Sequence, residues 1–290
     1  MKTLVKFLAM LLFVTAFVAC SDDDDDNPIV INNIMVVYNS DSGMFSAINT
    51  TNGTLTSIGT ISFNGEVLTG LRDIVYNESN GMIYASSRSD YNNGAIFSVN
   101  PSTLEASVLN DNADDDWYAL PGLEIYNGKI LATVYWDDYD NDNNLDYNEG
   151  LVTLNLDGTI FNVTPLMEDG DTISLNEGMG IEYTNNDTEL LITRWDEIIV
   201  SDFNGNVMEI VELNEVNFPD DESLDGIRTL ETSEEGVIYG IDRDNHFGRI
   251  DLTVGSPVGT FTYIATLTPE DDKHVALSLI PENIFDQIPQ

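Results

Sequence analysis

Residues Asp138–Glu149, DYDNDNNLDYNE, place an oxygen-bearing side chain at every second position and close on a glutamate. Five carboxylates in twelve residues repel one another unless a cation lies between them. Hard divalent cations are bound by converging oxygens of this kind, roughly six to eight for the larger ones. A second constellation is cationic. Arg72, Arg88, Arg194, Arg228 and Arg243 are half of the ten basic residues in a chain with 51 acidic ones. Guanidinium groups grip carboxylate or sulfate with two parallel hydrogen bonds, and they stack on aromatic rings. The three tryptophans, Trp117, Trp136 and Trp195, and both histidines, His246 and His274, fall at repeat positions close to these arginines.

The acidic segment resembles the loop of an EF-hand. Asp138, Asp140 and Asp142 occupy positions one, three and five, Asn144 offers its carbonyl at seven, Asp146 stands at nine and Glu149 at twelve. Leu145 supplies the apolar residue of position eight, whereas Asn143 replaces the glycine that a left-handed turn prefers. No flanking helices are expected, so the resemblance implies a loop grafted between strands, with Ca2+ favoured over magnesium because many flexible oxygens suit the larger ion.

The elements that must position these groups are strands. Short runs rich in Ile, Val, Tyr and Leu alternate with Asn, Asp and Gly clusters, and no segment carries sustained helical periodicity. The runs recur in fours. The clearest unit, residues 70–109, reads as strand a (Leu71–Tyr76), strand b (Met82–Ser86), strand c (Ala95–Asn100) and strand d (Leu104–Leu109). Units beginning GLEIYNG, GMGIEYT and GIRTLET repeat it. The N-terminal stretch IMVVYNSDSGMFSAINTTNGTLTSIGTI supplies b, c and d without an a, and HVALSLIPE near the C-terminus is an a with nothing after it.

Joined, the two ends make a fifth unit. The chain thus resembles an all-β β-propeller of four-stranded blades, five blades with six as the alternative, closed by pairing of its N- and C-terminal strands, a device that removes exposed sheet edges. Trp-Asp and kelch-type glycine signatures are absent, so this likeness implies architecture and no functional family. In such a fold strand a lines a central channel. The d–a and b–c loops form one face, here the top, and the a–b and c–d turns form the bottom. Arg88, Arg194 and Arg243 each end a strand b, and Arg72 and Arg228 each sit near the start of a strand a, which predicts a ring of arginines at the top mouth. Trp117, Trp136, Trp195, His246 and His274 map to that same face, as does the acidic segment. The competing expectation for each arginine is a salt bridge to a nearby acid such as Asp73, Asp196 or Asp242. Glu124 and Glu182 fall within inner strands, where a carboxylate pair could serve glycoside chemistry or simply hold water.

The first 19 residues combine Lys2 and Lys6, an apolar run and a small Ala19 before Cys20, the pattern of a secretory leader. The ending resembles a bacterial lipobox, with Phe17 in place of the usual Leu, and implies that Cys20 is lipidated. SDDDDDN follows at once and resembles the surface-export signal of Bacteroidetes lipoproteins. The expected organisation is therefore a leader at 1–19, the lipidated cysteine and an acidic tether at 20–32, and a single propeller at 33–290. The tether enters before strand b of the closing unit, so it is expected to leave from the bottom face. Cys20 is the only cysteine, which leaves the folded part without disulfide or thiolate metal site. Losing the leader removes two of the ten basic residues and takes the formal charge from −41 to −43. Such a surface repels nucleic acid. The expectations for function are a monomeric outer-membrane lipoprotein, touching the membrane through its lipid alone, that binds an extracellular glycan or other anion at its top face. A polysaccharide hydrolase or lyase and a protein-interaction module are the alternatives, and no nucleophile motif, phosphate loop or His-rich metal site decides for chemistry.

Overall fold

The structure, a computed structural model, describes residues 33–87, 94–113, 117, 119–138, 146–175, 180–184, 188–252, 256–269 and 272–287, with backbone alone at 136–138, 146–148 and 286–287. In chain order the strands are β1 (Asn33–Asn39), β2 (Met44–Ile48), β3 (Leu55–Thr60), β4 (Ser62–Phe63), β5 (Glu66–Val67), β6 (Leu71–Asn77), β7 (Met82–Ser87), β8 (Ile96–Asn100), β9 (Glu105–Asn110), β10 (Leu123–Tyr126), β11 (Lys129–Asp138) and β12 (Asp146–Leu154). They continue as β13 (Ile160–Pro165), β14 (Met167–Glu168), β15 (Asp171–Thr172), β16 (Ile181–Tyr183), β17 (Leu190–Arg194), β18 (Glu197–Ser201), β19 (Val207–Val216), β20 (Ile227–Thr232), β21 (Ile238–Asp242), β22 (His246–Asp251), β23 (Val258–Thr266) and β24 (His274–Pro281).

These strands form five antiparallel blades. Blades one to four are β6–β9, β10–β13, β16–β19 and β20–β23, and the closing blade has the order β24-β1-β2-β3. β24 pairs with β1 along its whole length, from Asn33 opposite Pro281 to Asn39 opposite His274. The inner strands pack in a ring, β24 on β6, β6 on β10, β10 on β16, β16 on β20 and β20 on β24. The chain is a five-bladed β-propeller. Three features go beyond the four-strand repeat, the first being the small hairpin β14–β15 between blades two and three in the chain. The hairpin β4–β5 extends the outer edge of blade one beside β9, and the outer strands β19 and β23 pair in parallel, joining blades three and four into one sheet.

Each blade is buried on both faces, which explains why strands such as LLITR lack strict polar alternation. Successive side chains of one strand enter different cores. Leu190 and Ile192 pack with Leu131 and Leu151 of blade two, whereas Leu191 packs with Leu230 and Phe261 of blade four. Five such apolar clusters fill the five interblade spaces. Burial of apolar surface between blades therefore does the work that a single core does elsewhere.

An inner strand is also the edge of its blade, so its outward N–H groups need partners in the channel. Side chains of the preceding blade supply several. Asp73 accepts from Leu123 N–H at 2.7 Å, Glu182 from Thr232 N–H at 3.2 Å, and the Thr229 hydroxyl oxygen from Leu277 N–H at 3.1 Å. The blades approach closely here. A Cβ on Gly180 of blade three would lie 2.9 Å from the Thr229 Cα of blade four, so only glycine fits.

Candidate functional site

The top mouth is shaped by β-bulges at one level of the inner strands. In β6, Leu71 pairs with Ser87 and Asp73 with Ser86, which leaves Arg72 as the extra residue. In β20, Ile227 pairs with Asp242 and Thr229 with Ile241, which leaves Arg228. β24 shifts at the same level, between His274 and Ala276. A bulge re-aims the residue it carries, so the matched arginines of the sequence repeat are matched in the structure as well.

Arg228 and His274 stand on adjacent inner strands. The Nη1 of Arg228 is buried and has no hydrogen-bond partner among the described residues. Burial, followed by the neighbouring Arg243 charge, acts to lower its pKa, against the carboxylates of Asp242, Asp244 and Asp225. His274 is 1 % exposed, and burial holds its pKa down at about 4, with the Arg228 charge adding to the effect and Asp272 and Asp41 opposing it. The imidazole is therefore neutral near pH 7, and its tautomer follows from its neighbour. Asn39 Oδ1 accepts from the Asp41 and Ser42 N–H groups at 3.1 and 2.9 Å, so Asn39 Nδ2, a donor only, is what faces His274 Nε2 at 3.5 Å. Nε2 accepts and Nδ1 carries the proton, yet Nδ1 too lacks a partner among the described residues. Two buried donors thus meet no acceptor, and each unsatisfied group costs about 1–3 kcal/mol.

Around them the mouth is closely bonded. The Arg243 guanidinium stacks on Trp195, 4.2 Å from the ring centre, and Gly226 leaves room for the stack, since a Cβ there would lie 3.2 Å from Arg243 Nε and 3.3 Å from Trp195 Cε3. Trp195 is 42 % exposed, so its ring remains open to solvent. Asp242, wholly buried, accepts from the Asp244 and His246 N–H groups at 2.9 and 2.8 Å and from His246 Nδ1 at 2.8 Å. His246 Nε2 in turn reaches Glu222 at 3.0 Å, with Phe218 and Tyr263 edge-on to the imidazole.

Other predicted residues lie elsewhere. Arg194 is one residue out of register: it stands where Asp242 and Asn39 stand, and Trp195 where Arg243 does. A one-residue shift turns a side chain to the other face, and Arg194 pairs with Glu197 of its own hairpin at 2.7 Å. Trp117 is 3 % exposed, packs between blades one and two, and donates its indole N–H to the Gly94 carbonyl at 2.8 Å. His246 is 3 % exposed and held by its two carboxylates. Arg88 and Cys20 lie outside the described residues, as does the side chain of Trp136.

The two ends of the acidic segment lie on the paired strands of a hairpin. β11 and β12 pair from Ile130 opposite Leu154 out to Asp138 opposite Asp146, and Asp140, Asp142 and Asn144 lie outside the described residues. Glu149 sits three rungs back, opposite Tyr135, about 10 Å along the strand at roughly 3.4 Å per residue. It is buried, and its carboxylate accepts from the Ser174 hydroxyl at 2.7 Å and from the Leu175 N–H. Pairing across a ladder, rather than coiling round a centre, is what separates Glu149 from Asp138, and this corrects its place as the twelfth position of an EF-hand loop.

The opposite end of the channel has a different lining. Glu124, Glu182, Glu231 and Ser278 occupy one level of four inner strands, pairing with Leu131, Leu191, Tyr239 and Val36 of the strands beside them. Val75 takes the fifth place. All three glutamates have pKa values raised first by burial. Glu182 is pushed up to about 8, with its Tyr183 and Thr232 N–H partners pulling the other way. Repulsion from Glu182 adds to the rise at Glu124, Glu231 and, one level above, Asp73. Sequence reading singled out Glu124 and Glu182 but missed Glu231, although LEIY, GIEY, TLET and ALSL share an apolar residue followed by this position.

No protein-family model matches the sequence, and no curated protein does. Solved structures do resemble it in shape. A nidogen/laminin complex superposes with a TM-score of 0.50 at 12% identity, covering 86% of this chain and 98% of that one. Glutaminyl cyclase of Myxococcus xanthus gives 0.45 at 13% identity, covering 80% and 77%, and the periplasmic gluconolactonase PpgL of Pseudomonas aeruginosa gives 0.42 at 8%, covering 79% and 81%. Likeness at such identity speaks for the fold alone.

Proposed function

We propose that this chain is an outer-membrane lipoprotein, anchored through Cys20 and facing outward, whose propeller binds an anionic extracellular ligand, a uronic-acid or sulfated glycan, at its top mouth. One observation carries the reading: the buried Nη1 of Arg228 and Nδ1 of His274 donate to nothing among the described residues. An anion's oxygens would satisfy both, and charge-assisted hydrogen bonds of this kind are the strong ones. Trp195, braced by Arg243, adds an exposed aromatic face on which a sugar ring could stack. The strongly acidic remainder of the surface then serves specificity, since an anion is attracted only where the arginines lie.

The test is a glycan array with the purified chain, followed by titration of any polymer retained. Binding of anionic glycans, lost on Arg228→Met and kept on Arg194→Ala, supports the reading. Selective retention of neutral glycans, or affinity indifferent to Arg228→Met, overturns it.

A further inference from the structure

We propose that the bottom end of the channel is a second binding site, for a small aliphatic ammonium compound held among Glu124, Glu231 and the Ser278 hydroxyl. The place is a cavity of about 460 Å³ lined by Glu78, Glu124, Glu182, Glu231, Glu234 and Ser278 among others, none of them basic. That volume lies within the range of small-molecule sites, about 300–1,000 Å³. Acidity alone would not make it a site, because part of the acid is structural: Glu182 binds the Thr232 and Tyr183 N–H groups.

The independent sign is Ser278. It is 2 % exposed and lines the cavity, and its hydroxyl makes no hydrogen bond among the described residues. Glu124, 7 % exposed, spends one oxygen on the Ile125 N–H at 2.6 Å and leaves the other to the cavity. Both groups line the cavity, and each can accept an N–H from a ligand there.

The geometry also selects the kind of cation. Among the described residues no three His, Cys, Asp or Glu side chains converge to hold a metal ion. The carboxylates instead stand on separate blades around the wall, so a ligand of several atoms with N–H groups pointing more than one way reaches them together. Tyr76 and Tyr183 line the same cavity. A second cavity of about 600 Å³ shares Asn33, Ser233, Glu234 and Leu279 with the first, which leaves room for a longer polar chain. Because the glutamates resist ionising without a counter-charge, an ammonium ligand must displace protons from them, and its affinity rises with pH.

Titration calorimetry of the full chain with putrescine tests this, with 1,4-butanediol as the uncharged analogue of equal length and with calcium and magnesium chloride as the metal arm. The expected result is saturable putrescine binding, at least about tenfold tighter than the diol and tighter at pH 8 than at pH 6. Proton release should be visible as a dependence of the heat on buffer. Glu124→Gln should weaken binding about tenfold. Ser278→Val should weaken it too while keeping the fold, since Val75 shows that this level accommodates valine. Equal binding of the diol, no putrescine binding, affinity unchanged in both variants, or displacement of putrescine only by calcium or magnesium would overturn the proposal.

Discussion

The two ends of the channel are made from the same five strands and carry opposite chemistry. At the top, bulges in β6 and β20 insert arginines and β24 begins with a neutral histidine. Below the level of Asp73 and Thr229 the strands run without a bulge, and four of them present glutamates or Ser278 while β6 presents Val75. Repetition settles where side chains go; which residue occupies each level settles what can bind. The groups without partners differ in kind as well: donors above, at Arg228 and His274, and acceptor capacity below, at Glu124 and Ser278.

The contrast can be broken most severely at Arg228. Arg228→Met should weaken an anionic glycan about a hundredfold in titration calorimetry, the loss of one buried charged contact, while leaving putrescine binding intact. A loss of both ligands would mean that the two ends are not independent. Asp242→Asn comes next. It leaves His246 with an amide where a carboxylate accepted several N–H groups, and should cost about 2–3 kcal/mol in urea denaturation with no effect on the bottom cavity.

Stability against pH separates the ends by sign. Glu182 has its pKa raised from 4.5 to about 8, so the fold favours the neutral acid. That contribution is whole below pH 4.5 and is lost as pH rises through about 8. Thermal melts between pH 5 and 9 should therefore show Tm falling by several degrees, and Glu182→Gln, which cannot ionise, should flatten the slope. His274 behaves differently. Its pKa near 4 lies below the ordinary 6.5, so its buried neutral form supports the fold above pH 6.5 and that support is lost as pH falls through about 4.

Smaller effects sharpen the top face. Millimolar calcium should raise Tm by a few degrees through the acidic hairpin, an effect lost on replacing Asp138 and Asp146 with Asn but retained in Glu149→Gln, whose carboxylate is already engaged by Ser174 and Leu175. Stabilisation that survives the Asp138 and Asp146 changes would remove the hairpin as the metal site. Smallest of all, Arg194→Ala should change stability by about 1 kcal/mol, the loss of one part-buried ion pair within a single hairpin, and binding not at all.

Much of this was legible in the residues. Four-strand recurrence and complementary ends give the blade count and the closure, because both follow from patterns a single sequence carries. The match of Arg72 with Arg228 was legible for the same reason. Arg194 was not, since a two-residue turn and a longer one place the same letter on opposite faces, and only the ladder reveals the offset. Trp117 looked like a loop residue, yet its indole finds the Gly94 carbonyl inside an interblade core. Glu149 satisfied a spacing rule that a β-ladder then spread apart. Glu231 escaped notice because the bulge at Arg228 moves it one place from where simple counting puts its equivalents.

Closure by β24 has a further meaning for how the protein comes into being. β1 waits as a bare edge until the last strand arrives, nearly the whole described length of chain later, so ring completion is a contact of the highest sequence separation the fold contains, the kind that forms late. His274 and Ser278 both lie on that strand. The same docking event that ends folding therefore installs the histidine of one mouth and the serine of the other, and a chain caught before it has neither site to offer.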